Sequence, residues 1–282
     1  MDAVNPNDLN RMKAIAARLW GVGRRWTPGE IAWSLLTEGE DNQVEFVGDG
    51  FCWLQPDYAV IEVTNEADAV AALDLVDDRP LQIPDGDEVL LSAARARGYA
   101  VVDDAPFDLD VRLRVEDAAL PEVPEAYRVR ATRPGDDLVA AHRNAWRPAD
   151  LPFADGHRPV LADDATSSFD EAALARVQSD SLYEAGLHVV AETRDGELVG
   201  SCIGWHDDGG GSVVIEPLGV SLAHRKNGLA GALCLQVARL SGRSGAQEVV
   251  IHPRGDAAYP AARGAYARAG FVEVGRTHLY AN

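Results

Sequence analysis

Residues 220–233 combine two cations, a glycine and small side chains at the predicted start of a helix. The first N–H groups of a helix have no backbone partner and lie at the positive end of the helix dipole, so they favour an anionic ligand. Gly228, Ala230 and Gly231 let a bulky phosphate approach the backbone closely, and Arg225 and Lys226 add positive charge. The pattern predicts a phosphate-binding turn, although a helix start that merely contains glycines would look similar.

Two predicted elements position this turn. After a glycine turn at residues 209–211, residues 212–220 are predicted to form a strand, and residues 229–241 an amphipathic helix that ends near Gly242. Pro217 cannot donate to a sheet ladder, which predicts a strand that is bent, bulged or unpaired on one side. Alternation along the strand predicts one shared face for Val214, Glu216, Leu218 and Val220.

A second motif follows in the chain. Residues 248–252 are predicted to form a short strand, and the loop 253–260 leads into a helix that ends at Gly270. Two further strands are predicted at residues 272–274 and 278–280. The predicted helix therefore ends at a glycine and is followed directly by a strand.

Together these motifs resemble the acyl-CoA site of the GNAT superfamily of N-acyltransferases. The family's last helix typically reads N-x-x-A-x-x-L-Y, followed after three residues by Gly-Phe, and this chain matches it at Ala262, Tyr266, Gly270 and Phe271. Tyr259 stands in place of the usual asparagine, and Ala265 replaces the leucine. The resemblance covers roughly residues 126–282.

The resemblance implies acetyl-CoA as the acyl donor. In this superfamily the strand before the phosphate turn separates from the next strand, and the amide arm of the donor lies in the gap. This places the pantetheine arm beside Leu218, Gly219 and Val220. The other implied contacts with the donor are Arg225, Lys226, Asn227, Gly228, Leu229, Ala230, Gly231 and Tyr259.

Acyl transfer to an amine needs a proton acceptor for the amine and a proton donor for the departing thiolate. A free thiol titrates near ~8.5 and a phenol near ~10, so a tyrosine can serve as the donor. The resemblance gives this role to Tyr266, whose alternative is a core packing residue. Glu216 is the first candidate for the base, and His252 is the second. An N–H group near residues 218–220 is expected to hold the oxyanion.

The resemblance also implies where the acceptor binds. The segment after the first helix of the second half usually builds the acceptor pocket, and here it spans residues 148–165. Trp146, Phe153 and His157 are the candidate wall residues, although each could equally serve in ordinary packing. A small-molecule primary amine is the expected acceptor.

Composition excludes several classes of function. The net charge of −19 disfavours nucleic acid as a partner, and about −16 of it falls in residues 1–125. No apolar run is long enough for a membrane span, and the N-terminus does not resemble a signal peptide. Three cysteines without a C-x-x-C pair, and scattered histidines, predict a cytoplasmic protein without a metal site. Monomer and homodimer both remain open.

The first half also reads as mixed α/β. Residues 93–102 repeat the helix–Gly–aromatic–strand junction of residues 266–274, but Ala94 takes the place of the tyrosine and no second phosphate turn is present. We therefore expect an α+β fold of two GNAT-like domains, each a mixed, mostly antiparallel sheet flanked by helices, with an unrelated α/β cap as the alternative for the first. The expected divisions are a degenerate domain at 1–118, structural or substrate-shaping, a linker at 119–126 and a catalytic domain at 127–282.

The leading hypothesis is an N-acetyltransferase in which the amine attacks acetyl-CoA directly. The alternative is a non-catalytic acyl-CoA sensor or interaction module that keeps the donor cleft. A P-loop nucleotide-binding protein is excluded because no G-x-x-x-x-G-K-[ST] motif is present.

Overall fold

The computed structural model describes residues 5–21, 23–37, 42–158, 167–207 and 211–282. Residues 159–165 of the expected acceptor segment and Gly209 and Gly210 of the predicted turn lie outside these ranges. The helices in the described residues are α1 (Pro6–Leu19), α2 (Pro28–Thr37), α3 (Glu66–Leu73), α4 (Glu88–Ala96), α5 (Leu138–Ala145), α6 (Glu171–Ser179), α7 (Leu229–Ser241) and α8 (Pro260–Arg268). The strands are β1 (Gln43–Val47), β2 (Gly50–Leu54), β3 (Ala59–Glu62), β4 (Leu81–Pro84), β5 (Ala100–Val101), β6 (Asp108–Arg114), β7 (Tyr127–Ala131), β8 (Tyr183–Thr193), β9 (Leu198–His206), β10 (Ser212–Val220), β11 (Glu248–Ile251) and β12 (Val272–Ala281).

All of these strands belong to one sheet, in the order β1-β2-β3-β4-β12-β6-β11-β10-β9-β8-β7, with the short β5 beside β12. Neighbouring strands are antiparallel except for two parallel pairs, β3 with β4 and β10 with β11. A parallel pair needs a crossover, and α3 and α7 supply it in the first and second half respectively. The same unit therefore occurs twice, as the predicted α+β fold of two similar domains requires.

The two halves exchange strands at the centre of the sheet. β6 belongs to the first half in sequence, yet it lies between β11 and β12 of the second. Its Leu109, Val111 and Leu113 are buried in the same core cluster as the side chains of α7. β12 in turn lies between β6 and β4. Neither half completes its own sheet.

The end of the chain corrects one prediction. The two strands expected at residues 272–274 and 278–280 are a single strand, β12. Its register shifts between Glu273 and Gly275, where the pairing with β6 is irregular. This bulge lets one strand continue past the glycine, so that β12 pairs with β6 and then with β4.

The first half also packs on one face of the second half's sheet. Ala32 and Trp33 of α2 are buried in one cluster with Phe169 and Trp205. Gly29 allows this approach, since a Cβ at that position would overlap the side chain of Trp205. A buried ion pair of 2.7 Å joins Lys13 to Asp180 at the far end of α6. The face that α2 covers is the one on which the candidate site lies.

The first half has no counterpart of the phosphate turn. Three residues, 63–65, connect β3 to α3, and the Asn65 side chain accepts a hydrogen bond from the Asp68 N–H at 2.9 Å. Glu66 and Asp68 stand in the first turn of α3. A capped and acidic helix start disfavours a phosphate there.

The strand ends that would border a donor slot in the first half are bridged by Arg24. The pairing of β3 with β4 stops at Val60 and Gln82. Beyond that point Arg24 donates to the carboxylates of Glu62, at 3.2 Å, and Asp87, at 2.7 Å. Its other terminal nitrogen donates to the backbone carbonyl beside Glu62 at 3.2 Å. A protein side chain thus occupies the region where these strands separate.

Candidate active site

The turn between β10 and α7 has an open, left-handed backbone. Residues 222–224 form one turn of 3-10 helix, and Lys226 and Gly228 then adopt φ values of 65° and 76°. Gly228 is the N-cap of α7 and has no side chain with which to cap it. Among the described residues, no heavy atom lies within 4 Å of the position that a Gly228 Cβ would take. The start of α7 therefore has no side-chain cap and is open at Gly228, the arrangement that suits an anion.

The two cations of the turn differ in their surroundings. Arg225 donates to the backbone carbonyls of Val220, at 2.9 Å, of Ala145, at 3.3 Å, and of Asp150. Its guanidinium therefore ties the turn to the segment after α5, which modifies the expectation that it grips phosphate directly. Lys226 is exposed, so its ammonium group is the cation of the turn that can reach an incoming anion.

Asn227 fixes the shape of the same turn. Its side-chain amide donates to the carbonyls of His224, at 3.1 Å, and Arg225, at 3.3 Å, and to the hydroxyl of Tyr127 at 3.4 Å. The Tyr127 hydroxyl also lies 3.1 Å from Nδ1 of His224. Sequence reasoning did not single out Tyr127, which reaches the turn from the first strand of the second half.

β10 carries the predicted bulge. Ile215 pairs with Gly204 on β9, and Leu218 pairs with Cys202, so β10 has one extra residue around Pro217. Its pairing with β11 is confined to residues 212–214, and the two strands diverge beyond that point. The divergence leaves the edge of Leu218–Val220 as the border of a slot.

The bulge corrects the predicted face of β10. An extra residue reverses the alternation, because side chains on a strand change sides with every residue. Val214 packs in the cluster with Trp33 and Phe169, whereas Leu218 and Val220 pack against the cluster that contains α7. Glu216 lies at the reversal, half-buried, and lines a cavity on the same side as Val214.

Tyr266 points from α8 into the core between β10 and α7. It is buried, its ring lies 6.0 Å from that of Phe271, and it belongs to the cluster of Leu229 and Leu233. Burial raises the pKa of its phenol well above the ordinary value, and the nearby Cys234 thiol and Glu216 carboxylate act in the same direction. The phenol therefore stays protonated at neutral pH, within electrostatic range of Glu216.

A cavity of about 300 Å³ lies beside Glu216 and Pro217. Of its other described lining residues, α2 of the first half supplies Trp33 and Thr37, and the second half supplies His142, Trp146, Ser167, Ser168 and Phe169. The Trp146 indole N–H is buried and has no hydrogen-bond partner among the described residues. It lies against Gly219, where a Cβ would come within 2.6 Å of the indole nitrogen. Gly219 therefore makes room for the indole beside the bulge.

Of the three predicted wall residues, the structure places Trp146 in this cavity and the other two elsewhere. The ring of Phe153 lies 5.1 Å from that of Tyr259, at the N-cap of α8, and His157 is exposed. Burial raises the pKa of the Tyr259 phenol, and the neighbouring Arg225 opposes that shift. Phe153 and Tyr259 therefore form a separate contact near the phosphate turn.

His252, the second candidate for the base, is not among the described residues that line the cavity. Its imidazole is buried, with Nδ1 2.8 Å from the Glu30 carboxylate and Nε2 3.9 Å from Asp110. It belongs to an ion cluster between the two halves. In the part of the chain that the structure describes, no group of three or more His, Cys, Asp or Glu could hold a metal ion. No described helix is long and apolar enough to cross a membrane.

Comparison with known proteins agrees with this geometry. Residues 155–271 match the model of the acetyltransferase (GNAT) family. No match to a curated protein is found.

Solved structures resemble the chain over its whole length. A GCN5-related N-acetyltransferase from Sphaerobacter thermophilus is 21% identical, covers 99% of this chain and 94% of its own, and has a TM-score of 0.56. A tandem GNAT protein from the clavulanic acid biosynthesis pathway is 16% identical, with coverages of 100% and 96% and a TM-score of 0.57. A GNAT-family acetyltransferase from Colwellia psychrerythraea is 11% identical, with coverages of 98% and 97% and a TM-score of 0.61. At these identities the likeness establishes the fold.

Proposed function

Since residues 155–271 belong to the GNAT acetyltransferase family and the whole chain has the fold of tandem GNAT proteins, we propose that this protein transfers an acetyl group from acetyl-CoA to the primary amine of a small molecule. The active site of this proposal lies in the second half. The first half contributes to the acceptor cavity through α2.

Acetyl-CoA is proposed to bind along the diverging edge of β10 and over the start of α7. The diphosphate would accept hydrogen bonds from the first amides of α7, with Lys226 as the nearby positive charge and Gly228 as the open backbone position. Arg225 and Asn227 would hold the turn in shape rather than donate to the ligand. The pantetheine arm would run beside Leu218, Gly219 and Val220, beyond the residues of β10 that pair with β11.

In the proposed reaction, the neutral amine attacks the thioester carbonyl. Glu216 takes a proton from the ammonium group, directly or through water, and a backbone N–H near the bulge holds the oxyanion. A bond forms between the amine nitrogen and the acyl carbon, and the carbon–sulfur bond breaks. Tyr266 gives its proton to the departing thiolate of CoA, and the second proton, which the attacking nitrogen loses as it becomes an amide, returns to the Tyr266 oxygen directly or through water.

One observation carries this proposal: Tyr266 is buried in the core cluster on one side of the β10 bulge, and Glu216 lines the cavity on the other side. A donor thioester in the slot would lie between them. A module that only senses acyl-CoA has no need for an acid and a base at this point. The buried, free cysteines, Cys52, Cys202 and Cys234, suit the reducing cytoplasm in which we place the protein.

Two measurements on the full-length protein test the proposal. Titration calorimetry with CoA should give a saturable isotherm, and acetyl-CoA with a panel of amines should release CoA thiol in an amine-dependent manner. Gly228→Asp should abolish CoA binding, because it introduces a negative charge and a side chain at a left-handed position of the turn. Gly245→Asp is the matched control, since Gly245 is also left-handed, with φ 97°, at the other end of α7.

The outcomes separate the candidate functions. Donor-dependent acetylation of any amine supports the proposal. CoA binding without turnover across the panel would instead favour the sensor. Unaltered CoA affinity in Gly228→Asp would refute the assignment of the phosphate turn.

A further inference from the structure

Four neighbouring rings form one part of the wall of the cavity beside Glu216. The Trp33 ring centroid lies 5.4 Å from that of Phe169 and 5.5 Å from that of His142, and the His142 and Phe169 centroids are 4.3 Å apart. Trp146 continues the group, 6.2 Å from His142 and nearly parallel to it, with 21° between the planes. Ring side chains at these separations prefer to contact a further flat ring or a cation.

Neighbouring contacts hold these rings in place. Arg143 of α5 donates to the backbone carbonyl of Phe169 at 2.7 Å, and Arg176 of α6 donates to that of Leu36 at 2.8 Å, at the end of α2. Trp33 and Phe169 are also both at least nine-tenths buried. The wall is therefore preorganised by contacts between the two halves, which favours a specific ligand over a loosely defined one.

Among the described residues that line the cavity, Glu216 carries the one formal charge. Glu216 and His142 are the titratable groups among its described lining residues. Burial lowers the pKa of His142 to about 4, so this imidazole is neutral at physiological pH. A single carboxylate can balance a single ammonium group. Against the described part of the wall, a second ammonium group would meet rings and hydroxyls without a counter-charge, which is unfavourable in a partly desolvated site.

We infer that the acceptor is a primary amine that carries one positive charge on a flat aromatic body, rather than a polyamine or an aminoglycoside. This inference rests on the proposed function. The aromatic body would pack among Trp33, His142, Trp146 and Phe169, and its ammonium group would lie towards Glu216. Because Trp33 belongs to α2, the half without a donor slot would set the preference for the acceptor.

A panel of amines tests this in the wild-type protein. 2-Phenylethylamine and tryptamine represent the inferred class, n-hexylamine has one charge without a ring, and spermidine and kanamycin carry several charges. We expect kcat/KM for the aromatic amines to exceed that of hexylamine about tenfold, the scale of one favourable ring contact, and to exceed those of spermidine and kanamycin by more.

A matched pair of variants tests whether the cavity wall causes the preference for aromatic amines. Phe169→Leu keeps an apolar side chain but removes a ring, so it should lower the ratio of phenylethylamine to hexylamine kcat/KM to near one and leave the KM for acetyl-CoA unchanged. Phe46→Leu makes the same change on β1 in the first half, where Phe46 lies under Arg11 and outside the cavity. It should leave the ratio as in the wild type.

A binding measurement separates this inference from the proposed function. Tryptophan fluorescence of the protein should change on addition of phenylethylamine more steeply than on addition of hexylamine, with no donor present. Ring-selective binding without CoA binding would refute the proposed function and retain the inferred ligand class. Acetylation of spermidine or kanamycin in preference to the aromatic amines would overturn the inference and leave the proposed function standing.

Discussion

At the scale of single residues, the environment of Tyr266 determines what its hydroxyl can do. A phenol in the core loses the solvation that would stabilise its anion, and burial therefore favours the protonated form. That form is the one that a thiolate leaving group requires. The position in the helix could be read from the sequence, whereas the burial depends on the packing of β10, α7 and α8.

We predict that Tyr266→Phe lowers kcat by about 10²-fold, the scale of a general acid, with little change in the KM for acetyl-CoA. Because the pKa of Tyr266 is raised well above 10, its deprotonation should cause no alkaline loss of kcat below about pH 10. Steady-state kinetics over pH would check both points. Tyr99→Phe, a buried tyrosine of the first half, serves as control, and a wild-type kcat in Tyr266→Phe would assign the residue to packing.

A second prediction at this scale concerns the close contact between Gly219 and the Trp146 indole. An added Cβ at Gly219 would come within 2.6 Å of the indole nitrogen and 2.8 Å of the Ala145 Cβ. Gly219→Ala should therefore displace the indole and raise the KM for the amine about tenfold, the scale of one lost ring contact. Gly186→Ala is the control, because a Cβ there meets nothing within 4 Å. An unchanged KM in Gly219→Ala would exclude Trp146 from the acceptor wall.

At the scale of elements, Arg24 explains how the first half closes the ends of β3 and β4. One guanidinium serves two buried carboxylates, Glu62 and Asp87. Burial, which outweighs the attraction of Arg24, raises the pKa of Glu62 to about 7, and the nearby Asp87 adds to the rise. Arg24 therefore links two acidic side chains, Glu62 and Asp87, with a single positive charge.

Arg24→Met should destabilise the protein by about 3–5 kcal/mol at pH 8, since it removes the guanidinium that pairs with two buried carboxylates. The loss should be smaller at pH 5, because both acids can take up protons there. Chemical unfolding at the two pH values measures the difference. Arg79→Met, which removes a more exposed pair with Asp77, should change stability little at either pH. Equal losses for Arg24→Met at pH 5 and pH 8 would contradict the account.

Much of the second half could be predicted from its sequence because local signals define it. The strand at residues 212–220, the start of α7 at Leu229 and the helix that carries Tyr266 follow from alternation, helical spacing and glycine placement. The acceptor wall could not be predicted in this way. Trp33 and Phe169 are more than 130 residues apart in the chain and meet only because α2 packs on α6 and β10. The reversed face of Glu216 depended on a bulge whose register no local pattern specifies.

The short strands β1 and β4 were also missed. β4 spans four residues, Leu81–Pro84, and its place is set by its neighbours β3 and β12 rather than by an apolar run of its own. The exchange of β6 and β12 between the two halves could not be predicted from the sequence either. Long-range strand pairing leaves no signature in the spacing of either segment.

At the scale of the whole molecule, the exchanged strands make the two halves interdependent. A fragment of residues 119–282 lacks β6, so it loses the strand between β11 and β12 and the core side chains of Leu109, Val111 and Leu113. We expect this fragment to be insoluble or unfolded when produced alone.

Co-production of residues 1–118 with 119–282 should restore a folded complex, because the break falls in a largely exposed linker. Co-elution on size exclusion and the circular dichroism spectrum would check this. A well-folded monomer of residues 119–282 alone would show that β6 is dispensable to the second half.

The ion cluster between the halves predicts how the free energy of unfolding depends on pH under acidic conditions. Burial alone would raise the pKa of Glu30, but Arg25 and His252 outweigh it and lower the pKa from 4.5 to about 2. A carboxylate with a lowered pKa stabilises the folded state above its ordinary pKa, and this contribution is lost as the pH falls from about 4.5 towards 2. The difference in unfolding free energy between wild type and Glu30→Gln should shrink over that window. The exposed Glu45→Gln should show no such trend.

The exchange of strands also constrains how the protein acquires its shape during synthesis. A ribosome releases β3 and β4 long before β12, so the early part of the polypeptide has to wait with an unfilled sheet edge until β12 has been synthesised. Unpaired edges invite association with other chains. This nascent chain is therefore expected to depend on cellular chaperones more than an enzyme built from two domains that fold one after the other.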